Sequence, residues 1–240
     1  VAAGARTVGS TQAVLFQRSG GAWSEVTLPL DAAELGGIRD VVWHDGGPEI
    51  WVVADQILRG LPGSLEVQDI PMDADFVARS GASTDGREAW LGGFGARPVL
   101  HWRWGKWEAV PPQRLTSGDS IGRTWLVDDM HFASPDEGWM VASFVDCNLD
   151  PTCPSGEALM RYDRQDDTGG WTVDPDWVRP SDDWTAGPSV AVTALALDAA
   201  GRPWIGGDAA PDGERDWNQP ETWRRGDDGV WSLQPELGGV

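Results

Sequence analysis

Tyrosine, lysine and cysteine are nearly absent from this chain. Its 240 residues include one Tyr (Tyr162), one Lys (Lys106) and two Cys, against 16 Trp and 17 Arg. No apolar run approaches the roughly 18–20 residues that a spanning helix needs, so nothing in the sequence crosses a bilayer as a helix. No stretch keeps a helical period, which argues against an α-rich fold. Basic residues are outnumbered, 18 to 38, and the net charge is −20. Such a chain repels phosphate, which argues against nucleic acid or an anionic membrane and favours cations or a basic protein partner. The Arg-for-Lys bias points to a GC-rich bacterial genome and carries no functional information.

The three histidines, His44, His101 and His131, have no ligand-spaced partner. Ser–His–Asp and His-x-x-x-His patterns are missing, so neither a catalytic nor a metal site is assigned and each His reads as structural or surface. Calcium is the one metal the many Asp residues could suit, although no EF-hand spacing is present. The Arg-Gly-Asp at 225–227 falls inside a repeated segment and reads as part of a turn, not as an adhesion motif. Cys147 and Cys153 lie six residues apart across a Pro-containing loop. They read as a small disulfide, worth roughly 2 kcal/mol for so short a loop, or as two surface thiols. A disulfide implies an oxidising, extracytoplasmic setting: secreted, periplasmic or cell-surface. The opening "VAAGARTVGS" is no signal peptide, having neither a basic start nor an apolar stretch.

What is present is a repeat. "PEIWVVAD" (48–55), "REAWLGGF" (87–94), "PDEGWMVA" (135–142) and "GRPWIGGD" (201–208) share a turn, a Trp and small or apolar residues. A second pattern follows: an apolar pair, an Arg, a turn, then usually Trp. Its Arg positions are 18, 59, 103, 161 and 224. It closes on Trp23, Leu65, Trp107, Trp171 and Trp231, with Pro29, Pro71, Pro111, Pro175 or Pro235 beyond. Lead-in strands such as "DVVW" (40–43), "DMHF" (129–132) and "VTALAL" (192–197) precede three of the Trp segments. Four short antiparallel strands per unit, repeated, predict an all-β fold: a β-propeller of four-stranded antiparallel blades, about five in this chain. The expected blades are 1–29, 38–71, 75–111, 125–175 and 190–235, within one domain. Trp23, Trp51, Trp90, Trp107, Trp139, Trp171, Trp204 and Trp231 are expected to fill the space between sheets. Aligning "VAAG" (1–4) with "WVVA" starts the chain inside a second strand, as in a window on a longer polypeptide.

"DMHFASPDEGWMVA" followed by an "LMR…GGW" strand resembles the repeats of the photosystem II assembly/stability factor family, within the wider Asp-box (bacterial neuraminidase repeat) propellers. The resemblance implies the propeller fold. It does not carry a sialidase site, because Tyr162 stands in an ordinary repeat turn.

The long segments 112–124, 143–157, 176–189 and 208–220 all belong to connections that open on one rim of a propeller. The other rim carries only short turns. Insertions of this kind collect on binding faces. Trp177, Trp184 and Trp217, with Asp182, Asp183, Asp212 and Asp216, are therefore the candidate binding residues. The expected function is a non-catalytic, protein-binding or assembly module. Glycan binding or cleavage is the alternative, and a structural subunit of a surface assembly the second.

Overall fold

The computed structural model describes residues 2–8, 10–43, 47–70, 76–95, 97–110, 124–145, 155–164, 170–174, 190–209 and 219–234. The chain divides into two compact units, Val1–Val110 and Pro111–Val240.

The first unit opens with a three-stranded sheet: β1 (Ala2–Val8), β2 (Ser10–Ser19) and β3 (Ala22–Val26). A single helical turn, α1 (Ala32–Leu35), follows. Its start is a reciprocal cap in which Asp31 accepts from the Glu34 N–H while Glu34 accepts from the Asp31 N–H, the capping box that "DAAE" spells. The second sheet is β4 (Asp40–Trp43), β5 (Ile50–Val53), β6 (Leu58–Leu61) and β7 (Ser64–Val67). Next come β8 (Val77–Ser83), β9 (Glu88–Gly95), β10 (Val99–Arg103) and β11 (Lys106–Ala109). Within each group the strands pair antiparallel in chain order.

The second unit repeats the plan twice. One meander is β12 (Thr124–Ser134), β13 (Glu137–Val145), β14 (Ser155–Asp163) and β15 (Trp171–Val173). The other is β16 (Val190–Leu197), β17 (Pro203–Ala209), β18 (Gln219–Arg225) and β19 (Trp231–Leu233).

The run Ile50-Trp-Val-Val is wholly apolar because its sheet is covered on both faces. Ile50 and Val52 pack with Leu15 and Val26 of the first sheet. Trp51 and Val53 pack with Leu91 and Leu100 of the third. An amphipathic strand would alternate; a strand buried on both sides does not. In the second unit Trp139, Val141 and Leu159 meet Val192, Leu195 and Ile205.

Carboxylates tie adjacent sheets together. The Asp40 carboxylate accepts from the Gly81 N–H, and Asp129 from the Leu195 N–H, each at 2.9 Å. Both acceptors lie in the first strand of one sheet and both donors in the first strand of the next. Both donors stand just beyond a register shift, at Ala78/Ser80 and at Val192/Ala194. A bulge disrupts the ladder locally, so a neighbouring N–H takes its acceptor from outside it. Gly81 is required there: a Cβ would stand 2.8 Å from Val42 Cγ2.

Candidate functional site

The repeat tryptophans fall into three groups. Trp51 and Trp139 are 1% exposed, Trp171 2% and Trp90 5%, while Trp107, Trp204 and Trp231 are half-buried. Trp23 departs from the expectation and is 55% exposed. The reason lies in the junctions. Trp51 meets Trp107 of the next sheet edge-on at 5.5 Å, and Trp139 meets Trp231 in the same way at 6.4 Å. Trp23 holds the corresponding fourth-strand place, but no described sheet precedes it to supply the partner.

Each second-strand Trp faces one third-strand residue: Trp51 faces Arg59, Trp139 faces Arg161 and Trp204 faces Arg224. These guanidinium groups lie 4.9, 5.8 and 5.2 Å from the ring they face, within cation–π range. A carboxylate two residues before the Trp completes the set, Glu49 at 2.9 Å from Arg59 and Glu137 at 3.0 Å from Arg161. In the third sheet the residue opposite Trp90 is His101, not Arg103. His101 stacks on Trp90 at 3.7 Å and pairs with Glu88 at 3.1 Å. Arg18 is also displaced. Trp23 faces Arg18 as Trp107 faces Trp102 and Trp231 faces Arg225, so Gln17 holds the repeat position. In the last sheet Arg202 stands where the Glu would be, and Asp198 takes both Arg202 and Arg224 at 2.8 and 3.1 Å. Burial pushes the Asp198 pKa up. The Arg202 and Ala200 N–H groups and the two guanidinium groups outweigh that and hold it well below the usual carboxylate range. This Glu-x-Trp…Arg set is legible in the quoted segments, yet a reading centred on Trp passes over it.

Of the Arg-Gly-Asp sequence, Arg225 is committed to the buried Asp174 at 3.3 Å and Asp227 to Arg202 at 2.9 Å. His131 is exposed, 3.6 Å from Asp129. Among the described residues no cluster of three or more His, Cys, Asp or Glu could hold a metal. Trp177, Trp184, Trp217, Asp182, Asp183, Asp212, Asp216, Cys147, Cys153 and His44 lie outside the described residues.

The short-turn rim of the first unit is not plain. A cleft of about 360 Å³ opens there between the first two sheets. Gln17 and Arg18 line it from β2; Trp43, Pro48, Ile50, Leu61 and Pro62 line it from the second sheet. Trp43 is 59% exposed and Leu61 44%. The third sheet shares this rim, since Arg59 donates to the Gly86 carbonyl in the β8–β9 turn at 3.4 Å. Its β10–β11 hairpin ends in Trp104 and Gly105, with φ of 51° and 77°. That two-residue turn favours Asn-Gly. Trp104 occupies the left-handed position instead and is 81% exposed.

No protein-family model matches the chain, and no curated protein matches it significantly. Solved structures do. "YCF48 bound to D1 peptide" is similar at 16% identity and TM-score 0.51, over 93% of this chain and 61% of that one. The chain has the β-propeller fold. It spans only 61% of the YCF48 chain, with about five antiparallel blades of its own. Virginiamycin B lyase from Staphylococcus aureus is similar at 11% identity and TM-score 0.47, over 95% of this chain and 78% of that one. GH43 endo-arabinanase from Bacillus licheniformis follows at 13% identity and 0.39, over 96% and 91%. At 16% identity the likeness to YCF48 is one of fold alone.

Proposed function

We propose that this propeller is a non-catalytic, extracytoplasmic protein-binding module and that its partner docks on the short-turn rim of the first unit. One observation carries the reading: a cleft whose lining includes an exposed Trp and an exposed Leu. Aromatic anchors over a pocket are where interface energy concentrates. The peptide in the YCF48 structure is a fact about that protein; it adds only that the fold accommodates such a ligand. The sequence segments bearing Trp177, Trp184 and Trp217 remain the alternative binding region. The test is panning of a random peptide phage library on the immobilised protein, then titration of recovered peptides. Trp43→Ala and Leu61→Ser are expected to weaken binding at least about tenfold, some 1.4 kcal/mol, while Trp217→Ala leaves it unchanged. The reverse pattern moves the site to the loop-rich segments. An oligosaccharide that displaces the peptides from Trp43 favours the glycan alternative.

A further inference from the structure

We infer that the segment docking on this rim is acidic and carries apolar side chains, an inference that rests on the protein-binding reading above. A net charge of −20 favours a basic partner for the chain as a whole, but the rim is an exception. The acids described there are already engaged. Glu49 pairs with Arg59, and Glu108 with Arg103 at 2.9 Å. Asp85 accepts from the N–H groups of Arg87 and Glu88 at 2.9 and 3.3 Å, capping its own turn.

Three cations at the same rim have no ion-pair partner among the described residues: Arg18 at the cleft, Arg87 in the β8–β9 turn, and Lys106, the chain's one lysine, beside Trp104. Arg18 stands near the end of β2, Arg87 just before β9 and Lys106 at the start of β11; the cleft joins the first sheet to the second at this rim, and the Arg59–Gly86 bond joins the second to the third. The exposed apolar groups stand among them. Trp43 borders the Arg18 cleft. Trp104 sits between Arg103 and Lys106, with the Arg103 guanidinium 4.7 Å from its ring. A Trp at positive φ gives up the ease that Asn or Gly would have at that place, and it holds a wide aromatic face in water. Strain of that kind is kept where a residue serves something other than the fold. The pattern of cations beside exposed aromatics is matched by carboxylates beside apolar side chains: the apolar groups enter the cleft or lie on Trp104, and the carboxylates meet Arg18, Arg87 and Lys106.

The experiment compares peptides recovered from the random phage library on wild type, on the exposed-surface double variant Arg18→Gln/Lys106→Gln, and on Trp43→Ala, each checked for fold by circular dichroism. Wild type should enrich Asp and Glu next to apolar residues, and the double variant should lose that enrichment. The best peptide should weaken about tenfold when its Glu are replaced by Gln, and should weaken with added salt. A recovered set that is neutral or basic, yet still lost on Trp43→Ala, overturns the acidic inference and leaves the binding site standing. A set unchanged on Trp43→Ala sinks the site itself. Recovery of peptides copied from this chain, with dimers in gel filtration, would show a second copy as the occupant and also overturn it.

Discussion

Trp139 and Trp104 are the same residue type in opposite roles, 1% and 81% exposed. Replacing Trp139 by Ala opens a large void between sheets and should cost about 3–5 kcal/mol. Trp104→Asn removes a side chain that packs on little and suits the turn better, so urea unfolding should show it neutral or slightly stabilising. Equal losses for both would contradict the assignment of inter-sheet roles. Asp198 sets a pH signature. Its folded pKa lies below the ordinary 3.8, so the stability it adds is present above about pH 4 and drains away as pH falls toward the folded value. Asp129 shifts the other way: burial raises it, against the N–H groups of Leu195 and Met130 and the charge of His131. Between 3.8 and that raised value the folded state binds the extra proton, so the Asp129 contribution grows as pH falls. Asp198→Asn should therefore flatten the acid limb of a stability–pH curve, and Asp129→Asn should steepen it. Identical curves for wild type and both variants would rule out the two contacts.

The strands were readable wherever punctuation and apolar runs coincide. "DVVW" is β4 residue for residue, and the Pro62–Gly63 and Gly20–Gly21 turns sit between strands as such pairs do. Register was less readable. Arg103 and Arg18 look like repeat arginines by eye, but the ladder puts His101 and Gln17 in those places, because pairing follows the turn and not residue identity. The bulges near Arg79 and Thr193 leave no mark in composition. The Asp clasps they enable are invisible for the same reason, although an Asp opens both "DVVW" and "DMHF". Asp40→Ala strands the Gly81 N–H between sheets and should cost about 1–3 kcal/mol. Thermal melts in which Asp40→Ala and an exposed control such as Asp69→Ala behave alike would exclude the clasp. The cleft was hidden most deeply. The sequence shows only short turns at that rim; Trp43 and Leu61 end strands and Trp104 sits in a turn, and nothing marks them until the sheets are set beside one another.

For the whole molecule, the fold follows from repetition and the proposed function from what breaks it. A Trp in a turn made for Asn, a Gln in place of an Arg, and cations with no ion-pair partner among the described residues all collect at one rim of the first unit, in a chain of net charge −20. The proposed extracytoplasmic location rests on the expected Cys147–Cys153 disulfide alone. Intact mass after alkylation without reductant should show no added label; two labels would remove that argument. The central claim, docking at the short-turn rim of the first unit, is tested most directly by hydrogen–deuterium exchange with a selected peptide bound. Protection should appear at 15–19, 47–50, 59–63, 84–87 and 102–106. Protection confined to 143–157, 176–189 and 208–220 would contradict it.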